Sequence, residues 1–267
     1  MSHGPAVAAR RTLFGIGIDP LTMRQAVARC TAAVESGGHL SIGMVNAAKV
    51  VAMRRNEPLR QAVSGCGLVL ADGQSVVWAS RLLGAPLPER VAGIDLFTEL
   101  LRAADRHVYR VYFLGARRDV LERMLAGVRR SYPRVVIAGA RDGYFRAGEE
   151  AGVAAQVRES GAQLLFAGMS SPKKELFLSQ WGPATRASVV HGVGGSFDVL
   201  AGVTRRAPAW YQDHGLEWLY RAWQEPARLG RRYLTTNTSF LAMVVHELMR
   251  ARLAPGGSAV GDRGGRA

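Results

Sequence analysis

Six short runs rich in branched and aromatic residues alternate with longer segments of helical apolar spacing. This alternation constrains the fold more than any other feature of the chain. The runs are "HLSIGMV", "GLVLA", "VYRVYFLG", "RVVIAGA", "AQLLFAG" and "ASVVHGV". Between them lie "NAAKVVAMRR", "SVVWASRLLG", "GIDLFTELLRAADR", "DVLERMLAGVRRSY", "GEEAGVAAQVRES" and "PKKELFLSQW". Strands separated by helical stretches of about 10–15 residues imply crossover connections, and hence parallel neighbours. Covering helices on both faces make such strands near-continuously apolar, which is how these runs read. The expected fold is α/β, a Rossmann-like, mostly parallel sheet with helices on both faces, plus a C-terminal helical appendage.

The pattern changes after about residue 204. The stretch "RRAPAWYQDHGLEWLYRAWQEPARLGRRYLTTNTSFLAMVVHELMRARL" offers no strand and is helical, aromatic and basic, with eight arginines against four acids. The tail "APGGSAVGDRGGRA" is Gly-rich, a composition that cannot build a packed core. The expected organisation is a flexible N-terminus over 1–11, an α/β core over 12–204, a helical appendage over 205–253 and a disordered tail over 254–267. The aromatic residues of the appendage (Trp210, Trp218, Tyr220, Trp223, Tyr233) suit either packing onto the core or lying on an anionic membrane surface.

Charge narrows the partner class. The net charge is +14, and because Lys49, Lys173 and Lys174 are the only lysines, the excess is almost wholly arginine. Arginine suits phosphate groups, nucleic acid and anionic lipid alike. No nucleic-acid-binding motif is present, so nucleic acid is not expected as a partner. No run approaches the ~18 apolar residues of a membrane span. The first twenty residues lack the apolar core of a signal peptide, so the chain is expected in the cytoplasm. Cys30 and Cys66 have neither metal-ligand spacing nor a disulfide framework and read as packed thiols.

In an open parallel sheet, ligands bind beyond the carboxyl ends of the strands. Asn46 follows "SIGMV", Asp72 follows "GLVLA", Gly115 follows "VYFL", "GMSSPKKE" follows "LLFA" and "GVGGSFD" follows "VVH". These polar and glycine-rich segments converge on one rim. A carboxylate at the seam between a buried strand and a helix is costly to desolvate, so Asp72 is expected at the mouth of a site. Its other reading is an N-cap for a helix over 75–83, and Asn46 has the same alternative. "GVGGSF" approximates a dinucleotide fingerprint but carries Phe197 in place of the third glycine. His191 reads as a core histidine. Lys173 and Lys174 suit either phosphate contacts or a solvated first helical turn.

The blocks "ADGQSVVWASRLLGAPLPERVAGIDLF", "SPKKE", "GVGGSFDVLAGVTRRAPAW" and "GLEWLYRAWQEPARLGRRYL", in that order across residues 12–240, resemble the WecG/TagA/CpsF glycosyltransferases. The resemblance implies an inverting transferase with no metal and no cofactor. Such an enzyme moves a sugar from a UDP-sugar to a polyprenyl-diphosphate-linked saccharide at the cytoplasmic membrane face, with UDP-N-acetylmannosamine the best-known donor. It places the general base on Asp72, removing a proton from the acceptor hydroxyl. Asn46 would bind the donor sugar or acceptor, and Arg90 of "ERVAG" would neutralise the departing diphosphate. Gly192, Gly194 and Gly195 would line the nucleotide pocket, with Asp198 and Tyr144 meeting the uridine. Arg221, Arg228, Arg231 and Arg232 would face the membrane or the lipid diphosphate. The resemblance also leaves a homo-oligomer open.

Two positions depart from the family pattern. Met44 stands where a threonine is usual and offers no hydroxyl to a sugar. Lys174 replaces the glutamine of "PKQE". Both lie where the donor would be recognised, and they favour a hexose other than N-acetylmannosamine, such as glucose or a uronic acid. A nucleotide-sugar epimerase or dehydrogenase would need a fingerprint glycine at the first βα turn and a ribose-binding acid, neither of which stands in order. A non-catalytic membrane or nucleic-acid binding protein would leave Asp72 and Asn46 without a task.

Overall fold

The six apolar runs become the six strands of one parallel sheet in the computed structural model. It describes residues 9–208, 210, 211, 217, 219, 220 and 231–253, with side chains over 235–250 in the last stretch. The strands are β3 (Leu40–Val45), β4 (Leu68–Ala71), β5 (Arg110–Gly115), β6 (Val136–Arg141), β7 (Leu164–Gly168) and β8 (Val189–Gly192). They lie in the order β4-β3-β8-β7-β5-β6, every pair parallel. A small antiparallel hairpin, β1 (Arg11–Leu13) and β2 (Ile16–Ile18), precedes them.

Helices cover both faces. α1 (Met23–Glu35), α5 (Gly93–His107), α6 (Arg118–Ser131) and α9 (Ser196–Leu200) pack one face through Cys30, Leu96, Phe97, Met124 and Phe197. The other face carries α2 (Ala47–Met53), α3 (Glu57–Ser64), α4 (Gln74–Leu82), α7 (Glu150–Glu159) and α8 (Lys173–Trp181). The sequence pattern alone missed α1, α3 and the hairpin. Their signals are local: Thr22 and Gln25 form a reciprocal capping box at α1. Asn56 caps α3 ahead of Pro58.

Beyond the core, α10 (Arg231–Leu253) lies against α2. Phe240, Met243 and Val244 are buried there with Leu13, Val50 and Met53, and the Phe14 and Phe240 ring centroids are 5.2 Å apart. The first and last described segments of the chain are therefore joined through one apolar cluster. No helix among the described residues is long and apolar enough to cross a membrane.

The chain leaves β3 towards the face of α2 and α3, and leaves β8 towards the face of α9. Their carboxyl ends are adjacent in the sheet, so the two connections diverge and open a crevice between them. This is the switch point at which doubly wound sheets bind ligands.

Candidate active site

Asp72 follows the last residue of β4 and Asn46 follows β3. Parallel register pairs Val45 with Ala71, which sets the next two residues side by side. Asn46 serves twice. Its Oδ1 accepts from the Lys49 backbone N–H at 3.0 Å, capping α2, and this fixes which end of the amide carries the nitrogen. Its Nδ2 then donates to Asp72 Oδ2 at 3.0 Å. The second Asp72 oxygen, Oδ1, accepts from the Gly93 N–H at 2.8 Å.

Asp72 is not the cap of the helix that follows it. Gly73 occupies that position in α4 without a side-chain hydrogen bond, while Asp72 reaches across to the first residue of α5. A carboxylate at a helix N-terminus is favoured by the unpaired N–H groups and the helix dipole. Val91 N–H to Ala71 O at 2.9 Å pins the loop before α5 against the end of β4. Met44 is buried towards α5. A Cβ added to Gly93 would meet Met44 Cε at 3.6 Å and Asp72 Oδ1 at 3.7 Å, so these three positions form one wall.

His191 lies beneath this wall, fully buried on β8. Its Nε2 is 3.2 Å from the Gly93 carbonyl and its Nδ1 has no partner. Burial pushes the imidazole down to about 4, so the neutral ring donates through Nε2. His191 thus holds the peptide that holds Asp72, a connection that sequence alone did not suggest.

On the β8 side, Gly192 ends the strand, Gly194 adopts φ +55° and Gly195 precedes α9. Phe197 stands at the missing fingerprint glycine and fills the core against Phe97 and Phe113, with centroids 5.8 and 6.0 Å away. A Cβ on Gly168 would come within 2.4 Å of the Phe197 ring, so here the strand is cut back to glycine and the helix keeps its bulk. Asp198 sits half-buried in α9, its Oδ2 3.7 Å from where a Gly195 Cβ would be.

Lys174 is buried at the start of α8. Its stem passes 3.1 Å from the Cβ position of Gly192, and its Nζ lies 2.8 Å from Glu175 Oε1. Lys49 Nζ approaches the same oxygen at 2.6 Å. Burial alone would raise the Glu175 carboxyl, but the two ammonium groups bring it down to about 2. Burial, with Lys49 nearby, lowers Lys174. Neither Lys49 nor Glu175 was singled out from the sequence; the contact spans 126 residues. A cavity of about 200 Å³ runs between α3 and α8, lined among others by Met44, Lys49, Cys66, Lys174, Glu175 and Gly192.

Arg90 is half-buried and pairs with Glu217 at 3.5 Å, while Arg206 pairs with Asp95 of α5 at 2.5 Å. These two ion pairs bring the segment after residue 204 back over the same rim. Tyr144 follows β6, its ring largely exposed, and Lys173 Nζ holds the neighbouring Gly143 carbonyl at 2.9 Å. β6 and β4 are the two edge strands, about 24 Å apart at roughly 4.8 Å per strand. The turn before Tyr144, however, folds back over the end of β5, where the Gly143 N–H bonds to Ala116 O at 3.1 Å. Arg231 and Arg232 open α10, and Arg221 and Arg228 lie outside the described residues. Among the described residues no group of three His, Cys, Asp or Glu side chains could hold a metal ion.

The arrangement is an acceptor-only carboxylate, fixed from two sides, facing a crevice with a glycine turn and cations opposite. The model of the glycosyl transferase WecG/TagA/CpsF family matches residues 11–254. The chain belongs to this family. It is also 37% identical over 198 residues to the N-acetylglucosaminyldiphosphoundecaprenol N-acetyl-beta-D-mannosaminyltransferase of Bacillus spizizenii, covering 74% of this chain and 76% of that protein. This family member is accordingly a glycosyltransferase, and the fold and family expected from its sequence are those found.

Proposed function

We propose that this glycosyltransferase moves a hexose from a UDP-sugar to a polyprenyl-diphosphate-linked saccharide, with inversion and without a metal, in cell-surface polysaccharide synthesis. The named activity of the Bacillus spizizenii relative supports the lipid-linked acceptor and an N-acetylmannosamine or related hexose donor. The observation that carries the catalytic assignment is the Asp72 carboxylate, held by Asn46 Nδ2 and Gly93 N–H at the switch point of the sheet.

Each Asp72 oxygen spends one lone pair on its holder and keeps another for substrate. The acceptor hydroxyl gives its proton to this carboxylate as its oxygen bonds to the anomeric carbon. The bond from that carbon to the UDP oxygen breaks on the opposite face, so one displacement inverts the centre and the electron pair leaves with UDP. Arg90, which precedes the Val91 whose N–H bonds to Ala71 O, offsets the charge on the departing diphosphate. Gly192, Gly194 and Gly195 let the nucleotide approach the backbone, and Asp198 and Tyr144 serve its uridine end. The basic segment after residue 204 serves the lipid diphosphate at the inner membrane face, consistent with its two ion pairs to the rim.

The test is release of UDP from a panel of UDP-sugars with a short-chain polyprenyl-diphosphate-sugar acceptor. Acceptor-dependent turnover with one donor, reduced about 10²–10⁴-fold in Asp72→Asn, is the expected result. Turnover unaffected by that substitution would remove Asp72 from the chemistry.

A further inference from the structure

The turn that leaves β6 is fixed at more points than a surface turn needs. Asp142 Oδ1 accepts from the Tyr144 N–H at 2.9 Å, closing the turn on itself. The Gly143 N–H donates to Ala116 O at 3.1 Å and seats the turn on the end of β5. A Cβ on Gly143 would come within 3.1 Å of Gly115 Cα and of Met169 Cγ, so glycine is what permits so close a seat. Phe145 turns inward and is buried, its ring centroid 5.7 Å from that of Phe177 on α8.

Lys173, the first residue of α8, supplies the remaining hold. Its Nζ donates to the Gly143 carbonyl at 2.9 Å and stands 3.9 Å from the centre of the Phe145 ring. One contact falls just before Tyr144 and the other just after it. An ammonium over an aromatic face is attracted by the ring quadrupole, the more so where water is partly excluded. Arg141 also approaches this ring, at 6.0 Å, but its guanidinium is engaged by Gln156 and Glu149. Between the two held residues Tyr144 is 74% exposed. The loop is ordered without packing this ring, so its order goes to presenting it.

Position shows what the ring is presented to. The seat on β5 lies four strand positions from β4, about 19 Å at roughly 4.8 Å per strand. A nucleotide-sugar with its sugar at Asp72 and its diphosphate at the glycine turn after β8 extends its base towards this end of the rim. Every base has a face that stacks on an aromatic ring. We infer that Lys173 is a positioning residue of the nucleotide site, holding the turn over 142–145 so that the Tyr144 ring is a fixed stacking platform for the uracil base. This rests on the proposed UDP-sugar donor and on Tyr144 at its uridine end. Lys173 acts on the turn and does not touch the ligand.

The experiment is calorimetric titration with UDP of wild type, Tyr144→Ala, Lys173→Met, Lys173→Arg and the double variant of Tyr144→Ala with Lys173→Met, alongside thermal melting and donor kinetics. Stacking on an aromatic ring contributes about 10- to 100-fold to base binding, and Tyr144→Ala should lose that much. Lys173→Met keeps the stem but loses the donor and the charge, and should weaken UDP about 3- to 30-fold. Lys173→Arg keeps both and should bind within about twofold of wild type. The double variant decides the matter: it should bind no more weakly than Tyr144→Ala alone, because Lys173 acts only through that ring. In turnover the donor KM should rise with kcat unchanged, a split that a general loss of fold would not give. Lys173→Met with wild-type affinity overturns the inference. So does a further loss of equal size in the double variant, which would put Lys173 on the ligand itself. Tyr144→Ala with wild-type affinity, or a wild type that binds no UDP, overturns the uridine assignment beneath it. Should Lys173→Met fail to fold, Lys173→Gln keeps a donor for Gly143 and loses the charge over Phe145. It should weaken UDP about 2- to 5-fold in wild type and not at all beside Tyr144→Ala, and equal weakening in both overturns the inference.

Discussion

Substitution of Asn46 separates its two tasks, because one oxygen and one nitrogen of the same amide do different work. Asn46→Ser keeps an N-cap of comparable quality for α2 and loses only the donor to Asp72 Oδ2. A hydrogen bond to a charged group contributes about 1.5–3 kcal/mol, so kcat should fall roughly 10- to 100-fold with little change in melting temperature. Asn46→Ala loses the cap as well, costing about 1 kcal/mol more in stability, or about 2–4 °C in a chain of this size. Asn46→Asp keeps the cap but sets a second carboxylate where the amide nitrogen lay, 3.0 Å from Asp72 Oδ2. Two like charges about 4 Å apart repel by about 4 kcal/mol at an effective dielectric constant of 20. The pair then shares a proton, and the acid limb of the pH profile of kcat/KM moves up by about 2–3 units. The assay is acceptor-dependent UDP release from pH 5 to 10, paired with thermal melting. A Ser variant with wild-type kcat, or an Asp variant with an unmoved acid limb, would refute the claim that Asn46 positions the base.

Two further outcomes follow from other parts of the fold. Burial holds His191 at about 4, below its ordinary 6.5, so between these values the unfolded chain takes up a proton that the folded chain refuses. The wild type should lose about 2 kcal/mol of stability between pH 7 and pH 5 that His191→Gln does not lose. Urea unfolding at both pH values measures this, and parallel losses in the two proteins would contradict it. On α10, Leu241, Val245 and Met249 form an exposed apolar stripe opposite the face buried on α2. Replacing all three with serine should weaken binding to anionic vesicles several-fold in cosedimentation while leaving melting unchanged. Equal binding by the two proteins, or binding by neither, would refute a membrane role for this stripe.

Much of the architecture was legible from local chemistry. Each of the six apolar runs is a strand, because a strand buried on both faces must be apolar at successive positions whatever its neighbours; β6, at the sheet edge, is only part-buried. The rim location of Asp72 and Asn46 also followed from the sequence, since residues just past strand ends in a parallel sheet share one edge. The family blocks named positions there by pattern. Short elements escaped: α3 has eight residues and the N-terminal hairpin strands three each, too few for periodicity to register.

What the sequence by itself determined is therefore the type and succession of elements and the edge on which the polar strand ends gather. The strand order, with β8 inserted between β3 and β7, was decided by the tertiary structure, because which strands pair depends on packing rather than on neighbours in the chain. That order pairs Ile42 of β3 with His191 of β8, sets His191 under Gly93, and joins Lys49 to Glu175 across 126 residues. It also decides that Asp72 serves α5 rather than the helix it immediately precedes. A carboxylate's task is set by which donors lie within about 3 Å of it, and those donors are fixed only once the sheet has assembled.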